Sequence, residues 1–168
     1  MTILPPELQQ AVWSLGALIR VRADGDATGG TLAVLEHQGE RGYGSPVHRH
    51  GADEETFLVL EGELLVEVDG QSFTAGPGAA AVLPRLLPHA FVVTSPQARF
   101  LTIHTPAGFD RFALAAGTPV TAGAPAQPPA QPPARPPALP PPDPVALAVM
   151  ARRYGIEILG PPLAPPAR

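Results

Sequence analysis

The sequence predicts an all-β fold, a small antiparallel barrel or sandwich, followed by a proline-rich linker and a short C-terminal helix. Three observations indicate this. Short segments of alternating apolar and polar residues recur over the first two thirds of the chain, turn residues separate them, and half of the 24 prolines fall within residues 118–144. Many short strands at close spacing are typical of barrels and sandwiches. The chain has 168 residues, and its proline-rich tract has few residues able to fill a core, so we expect one folded domain.

The alternating segments give the strands in chain order. Residues 17–22 and 31–36 are two strands separated by the turn sequence ADGDATGG. Residues 55–60 and 63–68 flank Glu61 and Gly62, so we interpret them as a hairpin. Asp69 and Gly70 form a second turn signal before QSFTA, and further strands are expected at about 89–93 and 99–104.

The proline-rich tract separates the predicted barrel from a helix. We assign residues 12–115 to the barrel, 118–144 to an extended linker, and 144–160 to the helix and tail. A proline-rich recognition ligand is the alternative interpretation of the linker. Asp143 can cap the helix, with Pro144 in its first turn and Gly155 at its end. Its apolar stripe is expected to pack on the barrel or a neighbouring subunit, and IEILGPPL to add an edge strand.

Composition and charge exclude several classes of function. The net charge of −4 is spread without a basic stripe, so nucleic acid and anionic membranes are not expected partners. The chain has no cysteine and no lysine, which excludes thiolate ligands, disulfides and Schiff-base chemistry. No apolar run approaches the roughly 20 residues of a membrane span, and the start of the chain lacks a leader pattern, so we expect a cytoplasmic protein.

Two histidines and a glutamate stand at a spacing that predicts a metal site. Alternate residues of a strand point to the same face, so His48 and His50 project together. The same alternation places Glu55 on one face with Phe57 and Val59, so its carboxylate enters an apolar interior and needs a partner. A divalent cation supplies that partner. Mixed nitrogen and oxygen ligation suits iron, manganese, nickel, cobalt, copper or zinc.

These residues also fit the first motif of the cupin family. That motif is a glycine, five residues, His-x-His, three or four residues, a glutamate, six residues and a glycine, reproduced by Gly42, His48, His50, Glu55 and Gly62. The second motif is matched by Gly78, Pro84 and His89. Leu86 stands where a glycine is usual, and Val93 replaces an asparagine that is not a metal ligand. The chain resembles small single-domain bacterial cupins over roughly residues 12–115.

The resemblance implies a jelly-roll barrel and one divalent transition metal held by four side chains, those of His48, His50, Glu55 and His89. A barrel of this size encloses side chains or one small ligand. Apolar residues on the inward faces are core residues that we also expect to wall a substrate pocket: Phe57, Val59, Leu64, Val66, Phe91 and Val93. The expected partner is a small-molecule substrate. An exposed edge and the tail helix also make a homodimer a hypothesis.

The resemblance to quercetinase-like cupins implies a dioxygenase acting on a flavonol, phenol or enolised diketone. Four protein ligands leave an octahedral ion two open positions, enough for a bidentate substrate or for substrate and dioxygen. Glu55 is also the candidate general base. Two alternatives stay open. One is a redox-silent isomerase, cyclase or decarboxylase that uses the metal as a Lewis acid, and the other is a non-catalytic ligand-binding barrel.

Neighbouring residues receive ordinary roles. Glu54 competes with Glu55 for the ligand position, and strand alternation favours Glu55. Arg49 and Glu54 are expected to point outward into solvated ion pairs. His37 and His104 fit no motif, so we interpret both as ordinary surface or barrel residues.

Overall fold

A computed structural model describes residues 2–120 and 143–167. This part of the chain contains a single 3-10 turn (Pro6–Leu8), two α-helices and twelve strands. The helices are α1 (Phe109–Ala116) and α2 (Pro144–Arg152). The strands are β1 (Ala11–Ser14), β2 (Ala17–Ala23), β3 (Ala33–Glu40), β4 (Pro46–His50), β5 (Glu54–Glu61), β6 (Leu64–Val68), β7 (Gln71–Ala75), β8 (Ala80–Leu83), β9 (His89–Val93), β10 (Gln97–Thr105), β11 (Thr118–Pro119) and β12 (Ile156–Pro162).

The strands form two antiparallel sheets. The larger sheet has the order β11-β1-β2-β3-β10-β5-β8, and the smaller has the order β12-β4-β9-β6-β7. Consecutive strands therefore often lie in different sheets, which is the crossing pattern of a jelly roll. The all-β prediction is confirmed, and the two sheets enclose the core.

Alternation along the strands fills the space between the sheets. On β5, Glu55, Phe57 and Val59 are buried while the residues between them are partly exposed. Three aromatic rings meet at the centre, with ring centroids 5.2–5.7 Å apart and edge-to-face geometry, and they belong to Phe57, Phe91 and Phe100. This geometry is a favourable arrangement for aromatic rings. A second apolar cluster contains Val12, Ile19, Val21, Ala33, Leu35 and Ala113.

The predicted hairpin between β5 and β6 is wrong. These strands belong to different sheets, β5 pairing with β10 and β8, and β6 with β7 and β9. Gly62 lies where the chain changes sheet, with φ of +78°. A Cβ on Gly62 would lie 2.2 Å from the carbonyl oxygen of Gln97. Glycine is needed there because the backbone passes directly against the β9–β10 turn. The turn predicted at Asp69 and Gly70 is present, and it connects the paired strands β6 and β7.

Helix α1 follows β10 and was not predicted. Its buried residues are Asp110 and Ala113. The carboxylate of Asp110 accepts hydrogen bonds from the backbone N–H groups of Gly25 and Gly108, at 3.0 Å each. These bonds fix the start of the helix against the loop between β2 and β3. They place Phe109 beside the interior histidines described below.

The C-terminal segment returns to the barrel. Asp143 caps α2 by accepting from the N–H of Val145 at 2.9 Å, as expected. The ring centroid of Phe112 on α1 lies 5.8 Å from that of Tyr154, which follows α2. Strand β12 then pairs with β4, so the predicted additional edge strand is present.

The predicted domain boundaries stay predictions. Most of the proposed linker, residues 121–142, lies outside the described residues. Its first residues, Thr118–Pro119, form β11 and pair with β1. Among the described residues, neither helix has the length and hydrophobicity needed to span a bilayer.

Candidate metal centre

Strand β4 carries two of the predicted ligands into the interior. His48 and His50 alternate along the strand and are both buried. On one side, β9 pairs with β4 so that His89 lies opposite His48, and the two ring centroids are 4.4 Å apart. On the other side, β12 supports the strand, with Ile158 opposite His48 and Ile156 opposite His50. Strand register therefore gathers three imidazoles at one point.

The fourth predicted ligand comes from the opposite sheet. Oε2 of Glu55 lies 3.3 Å from Nε2 of His89 and 3.6 Å from Nε2 of His50. Nε2 of His48 lies 3.2 Å from Nε2 of His50. One potential ligand atom from each of the four residues lies within 4.8 Å of the other three. The structure thus brings together all four side chains named by the motif.

The outer nitrogen of each imidazole is held by an acceptor. Nδ1 of His48 lies 2.8 Å from the carbonyl oxygen of Pro46, and Nδ1 of His89 lies 2.9 Å from that of Leu87. A carbonyl oxygen only accepts, so both Nδ1 atoms carry a proton, and in the neutral form of each ring Nε2 has the lone pair. Nδ1 of His50 lies 3.0 Å from the carboxylate of Asp53. Such contacts orient histidine ligands in metal sites.

The Nε2 and Oε2 atoms that face one another at the centre of this cluster fit a cation. Oε2 of Glu55 and Nε2 of His89 are buried, and neither has a hydrogen-bond partner in the described part of the chain. Leaving such groups unpaired is costly. Lone pairs of imidazoles and a carboxylate that face one another are stabilised by a shared positive charge. The four side chains therefore fit a divalent transition metal.

Burial and neighbouring charges shift the pKa values of the site in different directions. Burial lowers the pKa of His48 to about 3, favouring the neutral imidazole that binds metals. Burial alone would lower the pKa of His50, but Asp53 and Glu55 raise it to about 9. For Glu55, burial opposes ionisation, and His104 together with the other imidazoles holds the pKa well below its usual range. The carboxylate is therefore ionised at neutral pH, and metal binding must displace the proton of His50.

The structure adds two residues to the site that the sequence analysis missed. His104, interpreted as an ordinary residue, is fully buried, and its Nε2 lies 3.3 Å from Oε1 of Glu55. Asp53 accepts from Nδ1 of His104 at 2.8 Å and also contacts His50. His50, Asp53 and His104 form a second group of potential ligands. Their Nδ1–carboxylate distances are those of hydrogen bonds, so this group orients the first one.

His37 is a buried barrel residue rather than a surface residue. Its Nδ1 lies 2.8 Å from the hydroxyl of Tyr43, and its Nε2 lies 3.1 Å from that of Thr102. Burial lowers its pKa to about 3, so the ring is neutral. Its stacking on Phe100, 4.9 Å between centroids, makes it part of the core.

The neighbouring charged residues point outward as expected. Glu54 pairs with Arg85 at 3.2 Å, and both side chains are about half exposed. Arg49 pairs with Glu157 on β12 at 2.7 Å. Strand alternation therefore separates Glu54, on the surface, from Glu55, in the interior.

The turn before His89 forms without the usual glycine. Leu86 has φ of +69°, in the left-handed region that glycine favours, and its N–H donates to the carbonyl of His50 at 2.8 Å. The hydrogen bond connects the turn to β4, the strand that carries two of the predicted ligands. The leucine side chain in this conformation costs on the order of 1–2 kcal/mol, which the surrounding structure must offset.

The six expected pocket residues all lie in the core beneath the site. They belong to one apolar cluster with Phe100 and Tyr43: Phe57, Val59, Leu64, Val66, Phe91 and Val93. Phe57 and Phe91 each follow a proposed ligand by two residues on the same strand face. Their role as substrate contacts stays a prediction.

The fold and the site define a β-barrel protein with a buried His/Glu cluster that could hold a metal ion, and part of the chain resembles known proteins. Residues 35–104 match the profile of the cupin domain family. Quercetin 2,3-dioxygenase of Bacillus subtilis (strain 168) is 30% identical over 82 residues, which is 49% of this chain and 24% of that enzyme. The aligned region therefore spans about a quarter of that relative's length.

Two solved structures show the same fold. An RmlC-like cupin from Shewanella frigidimarina NCIMB 400 matches with a TM-score of 0.58 and 20% identity, covering 66% of this chain and 96% of that one. Oxalate decarboxylase from Bacillus subtilis matches with a TM-score of 0.52 and 21% identity, covering 59% and 27%. Residues 35–104 thus match the cupin domain family, and the fold of the chain resembles that of these two structures.

Proposed function

We propose that this protein is a metal-dependent dioxygenase acting on a small flavonol, phenol or enolised diketone. The observation that carries the metal dependence is the convergence of His48, His50, His89 and Glu55. Nε2 of His89 and Oε2 of Glu55 are buried there and have no hydrogen-bond partner among the described residues. Sequence similarity to quercetin 2,3-dioxygenase, which covers 49% of this chain, supports the oxygenase class.

A bound transition metal would supply open coordination positions that lower the pKa of a substrate hydroxyl and allow redox chemistry with dioxygen. The protein's part is to hold that centre in place. The carbonyls of Pro46 and Leu87 and the carboxylate of Asp53 fix the rings of His48, His89 and His50. The inner faces of these rings are thereby preorganised, which lowers the cost of binding.

We assign to Glu55 a second role as general base. Its Oε2 has no hydrogen-bond partner among the described residues, so when it detaches from the metal it can accept a proton from a substrate hydroxyl placed beside it. The low pKa keeps the group ionised before substrate arrives. Beneath it, the apolar cluster that includes Phe57 and Phe91 excludes bulk water.

Oxygen uptake tests this function. The protein is loaded in turn with iron, manganese, cobalt, nickel, copper or zinc, and oxygen consumption is followed with a flavonol such as quercetin, a catechol and a β-diketone. We expect substrate-dependent uptake with at least one redox-active metal and none with the His48→Ala variant. Turnover that proceeds equally under nitrogen would reject the oxygenase and favour Lewis-acid chemistry. Metal binding without turnover of any substrate would favour a ligand-binding barrel.

We also propose that the protein forms a homodimer. In the described part of the chain, β12 occupies one edge of β4, while β7 and β8 are terminal strands of their sheets and expose Phe73 and Val82. Apolar residues on unpaired strands favour association with another chain. Light scattering during size-exclusion chromatography measures the mass directly, and a mass of one chain would reject the dimer.

A further inference from the structure

His104 is a buried histidine beside the site, and its Nε2 is not one of the four proposed ligand atoms. Its Nε2 is buried and has no hydrogen-bond partner among the described residues. The four proposed ligands lie within 4.8 Å of one another as a set, and His104 is not part of that set. The nearest charged group to its Nε2 is Oε1 of Glu55, at 3.3 Å.

Three contacts fix the orientation of His104. The register of β10 against β5 places His104 directly opposite Glu55. Its Nδ1 donates to Asp53 at 2.8 Å, which leaves Nε2 directed toward the Glu55 carboxylate. The ring of Phe109 lies parallel to the imidazole, with an 8° interplanar angle and 4.2 Å between centroids. The ring therefore has little freedom to turn away from Glu55.

The two oxygens of Glu55 consequently have different neighbours. Oε2 faces Nε2 of His89 and of His50, and Oε1 faces Nε2 of His104. A carboxylate held at one oxygen presents the other to a cation in a single direction. Asp53 adds to this arrangement because its carboxylate contacts Nδ1 of both His50 and His104.

We propose that His104, held by Asp53 and Phe109 and protonated at both ring nitrogens, is a positioning residue that binds Oε1 of Glu55 through Nε2–H and so presents Oε2 alone to the metal. This inference rests on the metal site of the proposed function but not on the reaction. It assigns to His104 an effect on metal binding and on the geometry around the metal. The conservative substitute is glutamine, whose side-chain N–H₂ can also donate to a carboxylate.

Titration of the metal-free protein with Co²⁺, followed by visible absorption and chelator competition, tests the proposal. Outer partners of metal ligands typically contribute about 10–100-fold to affinity. We expect His104→Leu to weaken Co²⁺ binding by about that factor and to change the absorption spectrum. His104→Gln is expected to recover most of both. His37→Leu, which also removes a buried histidine, serves as the matched control and should keep the affinity and spectrum of the unmodified protein.

Several outcomes would overturn the proposal. One is a His104→Leu variant that binds Co²⁺ as tightly as the unmodified protein. Another is a His104→Gln variant no better than His104→Leu, because that result would show a structural role. If the unmodified protein binds no Co²⁺, the proposed function fails first, and imidazole ¹H–¹⁵N spectra of the metal-free protein decide the inference. A proton on Nε2 of His104 that is lost or shifted in Glu55→Gln supports it, and a Nε2 without a proton rejects it.

Discussion

Two adjacent glutamates on β5, Glu54 and Glu55, lie in different environments, one at the surface and one in the interior. Glu55 is 4% exposed and faces three imidazoles, whereas Glu54 lies on the outer face beside Arg85. A solvated ion pair such as the latter contributes only about 0–1 kcal/mol. Two adjacent residues of one strand therefore provide a proposed ligand, Glu55, and a surface group, Glu54.

We expect Glu55→Ala to lower metal affinity by more than the roughly 10–100-fold attributed to outer partners, since it removes a ligand. Glu54→Ala should leave affinity unchanged within about 3-fold because it removes only a weak surface pair. Elemental analysis after equilibrium dialysis measures both, with circular dichroism to check folding. Equal metal retention by the two variants would contradict the assignment of Glu55.

Alternation along a strand was sufficient to predict which glutamate points inward, but not the role of His104. Alternate residues within one strand share a face, so the inward direction of His48, His50 and Glu55 can be predicted from the sequence. His104 reaches Glu55 only through the register of β10 against β5. Register between strands distant in sequence is set by the packed sheet, and no local spacing encodes it.

Strand β12 supports β4, the strand that carries two of the proposed ligands. Ile156 on β12 lies opposite His50 and is 3% exposed, whereas Leu159 on the same strand is 44% exposed. Burial of an aliphatic side chain stabilises the pairing of β12 with β4 through apolar area removed from water.

Alanine substitutions at these two residues compare the loss of a buried side chain with the loss of an exposed one. Ile156→Ala should lower the free energy of unfolding by about 2–5 kcal/mol, as expected for a buried aliphatic side chain. Leu159→Ala should change it by less than about 0.5 kcal/mol. Urea denaturation of the metal-free protein measures both. Similar losses in the two variants would show that β12 does not pack as described.

Most strands could be predicted from alternation, whereas one connection and one helix could not. The segments on either side of Gly62 have the pattern of a hairpin, but the backbone turns into the second sheet where only glycine fits against Gln97. Helix α1 is short, and its N-cap residue, Gly108, makes no side-chain capping hydrogen bond. Its formation depends on Asp110 and on packing against the sheet, which no local signal reveals.

At the scale of the whole molecule, metal binding should stabilise the fold. The proposed ligands lie on strands from both sheets, His48, His50 and His89 on the smaller and Glu55 on the larger. A cation bound to all four would link the sheets. A ligand at 100 times its Kd stabilises the native state by about 2.7 kcal/mol.

For a protein of this size, we expect that stabilisation to raise Tm by about 5–10 °C. Differential scanning calorimetry of metal-free and Co²⁺-loaded protein measures the shift, which should grow with Co²⁺ concentration. His48→Ala is the control and should show little shift. An increase of the same size in that variant would place the stabilising metal elsewhere.

Pairing between β12 and β4 has a consequence for how the protein is made. The ribosome completes β4, with His48 and His50, long before it reaches β12. During that interval one edge of the ligand strand has no partner, and such edges promote joining to other chains. Translation that stops within the proline-rich tract would release a chain that has every proposed ligand and an uncovered ligand strand. Loss of the last strand would therefore lead to aggregation before it led to a defect in metal chemistry.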